Sequence, residues 1–535
     1  MPDTTTPTRT YNLGDLLEIV AESVPDRLAV VAGDVRYTFR EFDERTNQVA
    51  RALLDLGLEP EAKVAMYSWN RSEWAEVFFG AFKARVVPIN INYRYVAHEL
   101  EYVLENSDAE VLIFERSFAP IVDEIAPKLP KLKHRIVIED GSDADAGDAA
   151  RYDDVVGAQD TSAIGNQRSD DDLYFLYTGG TTGMPKGVMW RHEDLFFAAL
   201  SSGLGPEPVT SPQGITERSL PEEFARPSLI IAPLMHGAAQ WGMCGMMFAG
   251  AGVCLYTERG LDPHAVWALA EREKCMGLTL VGDAMARPLA DALAEKPDAY
   301  DLSGMFRIGS GGGVFSPAVQ GQLKELIPHV QVMDAYGASE TGAGGMSAEG
   351  GPRRFVVGPE LQVIDDDLRP VAPGEVGRLA RRGHIPLGYY KDEAKTAATF
   401  PTDADGNRWS VPGDFATVDD DGIVTLLGRG SQCINTGGEK VYPEEVEEAL
   451  KSHPDVFDAL VVGVPDDRWG ERVVAVIAAR GDARPTVEDL SAHCRQTIAG
   501  YKTPRAVTFV ESIKRSPAGK ADYRWAKDTA SADAG

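Results

Sequence analysis

Cysteine is scarce in this sequence of 535 residues, and the few thiols show no pairing pattern. The chain has five, an odd number, with no C-x-x-C spacing among them. Such a set argues against a disulfide scaffold and fits a reducing compartment. The first ten residues are polar and contain no apolar segment of the kind found in a signal peptide. We therefore expect a cytoplasmic protein.

Basic residues are also few in relation to acidic ones. The sequence contains 53 Lys and Arg against 82 Asp and Glu, a formal charge of −29, and its pI is near 4.7. A chain with this charge repels nucleic acids and anionic lipid surfaces, so nonspecific binding to either is not expected, while peripheral membrane contact through a local basic or apolar patch stays open. An anionic ligand would have to bind at a site whose local charge differs from the negative charge of the whole chain.

No long, uninterrupted apolar run is present. The longest stretch without Asp, Glu, Lys or Arg is 227–257, which is long enough to be tested as a membrane span. Pro233, His236, Gln240 and several glycines interrupt its apolar positions. The pattern predicts a strand followed by a buried helix, and no transmembrane segment.

Short apolar runs alternate with helix-like segments over most of the chain, which is typical of layered α/β folds. The acidic stretch 140–172 is interpreted as a surface connection. The last hundred residues predict a smaller α+β domain, with a helix beginning at Pro443 and a junction at the turn-rich segment 427–431. We therefore expect a large N-terminal domain, 1–428, and a small C-terminal domain, 429–535.

The strongest local signal is YTGGTTGMPKG at 177–187, which follows the apolar run LYFLY. Glycines allow backbone N–H groups to face an anion, hydroxyls add donors, and a lysine supplies positive charge, so this segment predicts a phosphate-binding loop. Lys186 is not followed by Ser or Thr, so the segment is not a Walker motif. The glycines of 309–313 likewise do not complete a dinucleotide-binding fingerprint.

Six segments occur in a characteristic order: YTGGTTGMPKG at 177, YGASET at 336, GD at 413, LGR at 427, GGEKVYPEE at 437 and SPAGK at 516. On these motifs the chain resembles the adenylate-forming superfamily, which includes acyl-CoA synthetases, luciferases and peptide-synthetase adenylation domains. The segments GVMWRHED, GDAMARPL and GYYKDEAKTAATF are most similar to those of actinobacterial fatty-acid and steroid-side-chain CoA ligases.

The resemblance implies a large layered α/β domain with a mobile C-terminal domain, and two half-reactions. A carboxylate attacks the α-phosphate of ATP to give an acyl-adenylate, and the thiol of CoA then displaces AMP. Glu340 is the expected Mg²⁺ ligand, and Lys520 is expected to stabilise charge during adenylation. Tyr336 is expected against adenine and Asp414 at the ribose, supported by Arg429. The implied ATP-binding residues are Thr178, Gly179, Gly180, Thr181, Thr182, Gly183, Lys186, Gly311, Gly312, Asp334, Tyr336, Gly337, Thr341, Asp414, Arg429 and Lys520.

The resemblance also implies where the other substrates bind. Gly437 and Gly438 would admit the CoA thiol, and Trp469 is a further candidate for CoA contact. His236 is expected at the carboxylate end of an acyl pocket and counts, with Lys520 and Glu340, among the candidate catalytic residues. The expected pocket residues are His236, Gln240, Trp241, Gly242 and Met243, although apolar residues of a buried helix can equally be plain core.

Two positions depart from the family pattern: Gly179 replaces a common Ser, and Ser431 stands at the hinge where Asp or Lys is usual. The favoured function is a Mg²⁺- and ATP-dependent ligase for a hydrophobic carboxylic acid such as a medium- or long-chain fatty acid or a steroid side-chain acid. A ligase that loads a carrier protein and a noncatalytic nucleotide-binding regulator stay open, as does a homodimer.

Overall fold

The computed structural model describes residues 8–180, 183–201, 209–218, 221–222, 225–313, 315–348, 353–436, 439–466, 470–515 and 521–532. Its α-helices are α1 (Leu13–Ser23), α2 (Phe39–Asp55), α3 (Ser72–Lys83), α4 (Ala97–Ser107), α5 (Ala119–Ile125), α6 (Tyr152–Gly157), α7 (His192–Leu195), α8 (Gly237–Phe248), α9 (Pro263–Arg272), α10 (Gly282–Glu295), α11 (Pro317–Leu326), α12 (Glu393–Thr399), α13 (Pro443–Lys451), α14 (Val487–Cys494) and α15 (Tyr523–Ala532).

The strands over the same ranges alternate with these helices. They are β1 (Leu28–Ala32), β2 (Val35–Thr38), β3 (Lys63–Tyr67), β4 (Val87–Asn90), β5 (Ala109–Glu115), β6 (His134–Ile138), β7 (Ala150–Arg151), β8 (Leu173–Gly180), β9 (Gly183–Arg191), β10 (Ser228–Ile230), β11 (Val253–Leu255), β12 (Gly277–Leu280), β13 (Arg307–Gly311), β14 (Gln331–Ala338), β15 (Gly342–Ser347), β16 (Arg354–Val357), β17 (Leu361–Ile364), β18 (Gly377–Arg382), β19 (Gly388–Tyr389), β20 (Trp409–Ser410), β21 (Asp414–Val418), β22 (Val424–Arg429), β23 (Ile434–Thr436), β24 (Glu439–Val441), β25 (Val456–Asp466), β26 (Gly470–Ala479) and β27 (Ala506–Val510).

The largest sheet has the strand order β17-β18-β21-β22-β16-β15-β14-β13-β12-β10-β11-β1-β2, and β20 pairs with β18 at one side. Its part from β1 through β11, β10 and β12 to β14 is parallel, and the remainder is antiparallel. In a parallel sheet the carboxyl ends of the strands share one edge, where ligands usually bind. The carboxyl ends of β13 and β14 carry the Gly311 and Tyr336 motifs to this edge.

Three smaller sheets complete the described fold. Strands β4-β3-β5-β6-β7 form a parallel sheet, β19-β9-β8 form an antiparallel sheet, and β24-β23-β26-β25 with β27 form the sheet of the C-terminal segment. The C-terminal sheet has its own core beneath α13 and α14, which includes Val446, Leu450 and Leu490. The predicted fold class, a large layered α/β region followed by a smaller α+β unit, is confirmed.

Two local predictions need correction. The stretch 140–172 is more than a surface connection, because it contains β7 and α6, and Tyr152 packs in the core with its hydroxyl donating to Glu76 at 2.9 Å. The turn-rich junction at 427–431 begins as strand, since β22 continues through Arg429 before a 3₁₀ turn. The boundary between residues 428 and 429 stays a prediction. The stretch 227–257 forms β10, α8 and β11 as expected, and no helix in the described part of the chain is long and apolar enough to cross a membrane.

Candidate active site

The glycine-rich segment, which the sequence predicted to be a phosphate-binding loop, begins and ends in paired strands. Strand β8 runs to Gly180 and β9 begins at Gly183, with Thr178 paired opposite Lys186. A register shift between Thr178 and Gly180 leaves the pairing irregular near the tip. Thr181 and Thr182 lie outside the described residues, and the side-chain surroundings of Gly179, Gly180 and Gly183 are not described.

Asn90 holds the base of this hairpin. Its buried side-chain amide accepts a hydrogen bond from the Tyr177 N–H at 2.8 Å and donates to the Tyr177 carbonyl at 2.9 Å. It also donates to the carbonyl of Met235 at 2.7 Å. The hairpin is thereby tied to the residue that precedes His236. Sequence reasoning missed Asn90, although a polar residue that ends an apolar strand was the available signal.

Lys186 forms an ion pair with Asp392 in this structure. Asp392 also caps α12, because its Oδ1 accepts the backbone N–H of Lys395 at 2.9 Å. The hydrogen bond from Lys186 lowers the pKa of Asp392. The side chain of Lys186 is 39% exposed, so its ammonium group can be reached by a ligand that competes with Asp392.

Glu340 and Thr341 lie in the turn between β14 and β15. The hydroxyl of Tyr389 donates to Glu340 Oε1 at 2.8 Å, which fixes the direction of the carboxylate and engages one of its oxygens. Thr341 is completely buried, and its Oγ1 has no hydrogen-bond partner within the described ranges. A buried hydroxyl normally has a partner, so this atom fits a position at which a bound ligand would complete the contact.

Arg381 contacts the backbone carbonyl groups of this turn. The Nη1 group of this buried arginine lies 3.0 Å from the carbonyl of Thr341, 3.1 Å from that of Ala343 and 3.2 Å from that of Ala198. Burial lowers the pKa of Arg381. A guanidinium group satisfies such a cluster of carbonyls because its donors are fixed in a plane. Sequence reasoning missed Arg381 and Tyr389, since both act on the turn from strands distant in the chain.

The side chains of Tyr336 on β14 and Asp414 on β21 meet, although three strands of the large sheet lie between β14 and β21. The Tyr336 hydroxyl donates to Asp414 Oδ2 at 2.8 Å, and Asp414 is 8% exposed at the start of β21. The Cα atom of Asp414 pairs in register with that of Arg429. A Cβ at Gly344 would lie 2.7 Å from Cδ1 of Tyr336, so this position must be glycine for the ring to occupy its place.

Asp334 lies in the middle of β14, where several charged groups act on it. Burial, the carboxylate of Asp283 and the carboxylate of Glu448 together raise the pKa of Asp334 to about 7, while Arg353 opposes the shift. Gly312, at the end of the neighbouring strand, has φ +81°, a conformation that favours glycine. A Cβ at Gly337 would lie only 2.8 Å from the carbonyl of Gly342, so this glycine permits close approach of β14 and β15.

The expected acyl-pocket residues lie on or directly before α8, but they do not share one face. His236, Trp241 and Gly242 are half-buried, and His236 is the N-cap residue of the helix. Gln240 is buried, with its Oε1 accepting from Tyr174 at 2.6 Å and its Nε2 donating to the Leu234 carbonyl at 2.9 Å. Met243 is buried in the main core. The structure thus separates a partly buried side of α8, which includes Trp241 and Gly242, from a core-facing side, which includes Gln240 and Met243.

Several predicted site residues lie outside the described residues: Gly437, Gly438, Trp469 and Lys520. Nothing is described of the side chains of Arg429 and Ser431. The predictions for these positions therefore stay predictions. Among the residues that are described, no group of three or more His, Cys, Asp and Glu side chains could hold a metal ion.

Two family models match the chain, "AMP-binding enzyme" over 17–390 and "AMP-binding enzyme C-terminal domain" over 445–520. The chain is 46% identical to a 3-oxocholest-4-en-26-oate–CoA ligase of Rhodococcus rhodochrous, over 97% of this chain and 95% of the relative. It is 45% identical to a medium/long-chain-fatty-acid–CoA/3-oxocholest-4-en-26-oate–CoA ligase of Mycobacterium tuberculosis, over 97% and 96%. The crystal structure of the anthranilate CoA ligase AuaEII with anthranoyl-AMP superposes with a TM-score of 0.85 at 26% identity, covering 98% of both chains.

The fold and the converging motifs define an adenylate-forming enzyme, and the chain belongs to the AMP-binding enzyme family. The resemblance read from the motifs, to acyl-CoA synthetases of actinobacterial type, is confirmed. The prediction of an acid–thiol ligase that forms a CoA thioester at the expense of ATP is confirmed with it, and ATP and CoA are its co-substrates.

Proposed function

We propose that this enzyme activates a hydrophobic carboxylic acid, such as a medium- or long-chain fatty acid or a steroid side-chain acid. In the first half-reaction a carboxylate oxygen attacks the α-phosphorus of ATP, and pyrophosphate leaves. In the second, the sulfur of CoA attacks the acyl carbon, and AMP leaves. Support comes from relatives at 45–46% identity over nearly the whole chain whose names give these acids.

The observation that carries the proposal at the level of residues is the Glu340–Thr341 turn. It combines a carboxylate oriented by Tyr389 with a buried Thr341 hydroxyl that has no partner in the described part of the chain. We propose that Thr341 donates to the α-phosphate of ATP. A ligand oxygen at this position would satisfy a group that otherwise carries the cost of burial without a hydrogen bond.

We propose Glu340 as the Mg²⁺ ligand. Mg²⁺ is usually held by one or two carboxylates together with substrate phosphates, so the absence of a cluster of three ligands among the described residues is compatible with this role. The hydrogen bond from Tyr389 engages Oε1 of Glu340 and directs the carboxylate. When bound, the ion would neutralise negative charge on the phosphates.

The nucleotide would lie between the hairpin and the Tyr336–Asp414 pair. We propose that Lys186 exchanges Asp392 for the outer phosphates, that Asp414 accepts the ribose hydroxyls, and that Tyr336 packs on adenine. A carboxylate with two acceptor oxygens suits a pair of hydroxyls. Further ATP contacts are proposed for Thr178, Gly311, Gly312, Asp334, Gly337 and Arg429, and for the glycines and threonines of the hairpin tip.

The C-terminal domain, 429–535 in this proposal, would serve both half-reactions by rotation about a hinge that includes Ser431. Lys520 would stabilise the charge that develops during adenylation. Gly437 and Gly438 would leave room for the CoA thiol, with Trp469 in contact with CoA. His236 would lie beside the reacting carboxylate at the N-terminal end of α8.

The test is AMP release by the purified enzyme with ATP, Mg²⁺ and CoA over a panel of aliphatic, aromatic and steroid acids, with thioester followed by mass spectrometry. A CoA thioester supports the proposal and ranks the substrates. Acyl-adenylate without thioester would indicate transfer to a carrier protein, and nucleotide binding without either product would indicate a noncatalytic regulator. Light scattering on the same preparation distinguishes a monomer from a homodimer.

A further inference from the structure

One face of α8 is less buried than the rest of the helix. Ala238, Trp241, Gly242 and Gly245 are only partly buried, whereas the intervening residues of the helix are buried. The spacing of three and four residues places these four side chains on one side of a helix. Three of the four are Ala or Gly, whose small side chains leave room for an acyl chain along this side, and we refer to this side of α8 with the strand face opposite it as the groove.

Strands β12 and β13 form the opposite wall. A Cβ at Gly242 would lie 3.4 Å from Cγ2 of Thr279, so Thr279 faces α8. Thr279 pairs in register with Gly309, and side chains alternate along a strand, so Gly309 and Arg307 lie on the same face as Thr279. Ile308, between them, packs into the core on the other face of the sheet.

Arg307 therefore stands in the floor of the groove. Its Nη2 lies 3.2 Å from Sδ of Met246, and a thioether sulfur is a weak hydrogen-bond acceptor. Met246 lies one helical turn beyond Gly242 on α8. No carboxylate pairs with Arg307 in the described part of the chain, and burial lowers its pKa. Arg307 is partly buried, and a cation partly withdrawn from water without a charged partner gains from a hydrogen bond to a ligand, so its guanidinium group is available for such a contact.

The position of Arg307 along the groove defines a length. Ten helical residues separate His236 from Met246, which corresponds to about 15 Å along the axis of α8. Four strand residues separate Gly311 from Arg307, which corresponds to about 13 Å along β13. Both measures place the guanidinium group at the end of the groove remote from the reacting carboxylate.

We propose that Arg307 binds an oxygen acceptor, a keto oxygen, at the far end of the acyl substrate. The inference rests on the proposed function and narrows its substrate class to long hydrophobic acids with an oxygen remote from the carboxyl group. A hydrogen bond from a charged donor to such an oxygen favours binding, whereas a methylene in its place would leave the guanidinium group of Arg307 without this acceptor. Through the remote keto oxygen the enzyme would thus discriminate among acids that fit the groove equally well.

The test compares two acids of equal length that differ in one group, a remote ketone or a methylene. We expect wild-type enzyme to favour the keto acid in kcat/KM by ten- to a hundredfold, about the factor that such a hydrogen bond supplies. The variant Arg307→Met, which has a similar apolar stem, should lose this preference while its rate with the methylene acid is equal to or above wild type. An equal loss on both acids would overturn the proposal.

Arg226→Met is the matched control. Arg226 donates to the Gly304 carbonyl at 2.9 Å and stacks over Phe306, so it already has partners in the protein. This variant should keep the preference for the keto acid. Calorimetric Kd values for both acids separate a failure of the proposed function from a failure of the Arg307 contact. If wild type makes no thioester from either acid, the proposed function fails. The difference in Kd between wild type and Arg307→Met still shows whether Arg307 binds the keto oxygen. Equal Kd values for the two acids on wild type would refute this contact.

Discussion

The hydroxyl of Tyr389 donates to Oε1 of Glu340 at 2.8 Å, so the carboxylate proposed to hold Mg²⁺ is oriented by a residue 49 positions further along the chain. Tyr389 is buried on the short strand β19, which pairs with β9 of the glycine-rich hairpin. The residue that orients Glu340 and the glycine-rich hairpin therefore share one small sheet, whereas Glu340 itself lies in the β14–β15 turn of the large sheet. A change at Tyr389 should alter Mg²⁺ binding without removing any proposed ligand.

We predict that Tyr389→Phe raises the Mg²⁺ concentration needed for half-maximal ATP–pyrophosphate exchange by about tenfold, because a hydrogen bond to a charged carboxylate contributes about 1.5–3 kcal/mol. The measurement is exchange rate against Mg²⁺ at saturating ATP and acid. Tyr390→Phe is the control, since Tyr390 donates to Asp108 at 2.9 Å and not to Glu340. An identical shift in both variants would mean that Tyr389 acts only through general stability.

The ion pair between Lys186 and Asp392 competes with the proposed contact between Lys186 and phosphate. We predict that Asp392→Asn lowers the KM for ATP by about two- to fivefold, because a partly exposed ion pair contributes about 1 kcal/mol or less and the free ammonium group no longer has to give it up. Asparagine keeps an oxygen that can accept the N–H of Lys395, so the cap of α12 is retained.

The comparison variant for this ion pair is Lys186→Met, which should raise the KM for ATP. Initial rates against ATP concentration give the KM of each variant, and circular dichroism checks that the fold is kept. A rise of KM in Asp392→Asn would show that Asp392 positions Lys186 for the nucleotide instead of competing with it.

The folded protein disfavours ionisation of Glu448 on α13. Burial is the main cause that raises its pKa to about 7, and the carboxylate of Asp283 adds to the shift, while Arg353 and Lys451 oppose it. The pKa of Glu448 in the folded protein lies above its ordinary value. The contribution of protonated Glu448 to the free energy of unfolding is therefore fully present at low pH and is lost as the pH rises from about 4.5 to about 7. The same region contains Asp334, whose pKa is also raised to about 7.

We therefore predict that Glu448→Gln raises the free energy of unfolding at pH 8 by about 1–3 kcal/mol and has little effect at pH 5, where the wild-type carboxyl group is protonated. Thermal unfolding at both pH values measures the difference. Glu445→Gln is the matched control, because Glu445 pairs with Lys502 at 2.6 Å and its replacement removes a favourable contact. A gain of stability at pH 5 equal to that at pH 8 would contradict the assignment.

The motifs of the proposed chemistry could be recognised in the sequence because the residues of each motif are close together in the chain. Glycine, threonine and lysine together in 177–187 predicted phosphate binding, and the α8 segment was recognised as a buried helix. The residues that orient the site could not be found in this way. Tyr389, Arg381 and Asn90 act on turns far from them in sequence, and only the strand pairing brings them together. A periodicity rule likewise could not tell that Gln240 turns to the core while Gly242 faces the groove.

Gly242 provides the last prediction, because its missing side chain keeps the groove open. A Cβ there would lie 3.4 Å from Thr279, an ordinary contact, so Gly242→Ala should be tolerated, whereas Gly242→Leu should fill the groove. We expect Gly242→Leu to lower kcat/KM for long-chain and steroid acids by tenfold or more, about the loss that a steric mismatch in an apolar pocket produces, and to spare short acids. Gly321→Leu on α11 is the control, since a Cβ there meets nothing within 4 Å. A uniform loss over all chain lengths in Gly242→Leu would place the acyl chain elsewhere, and with it the floor on which Arg307 stands.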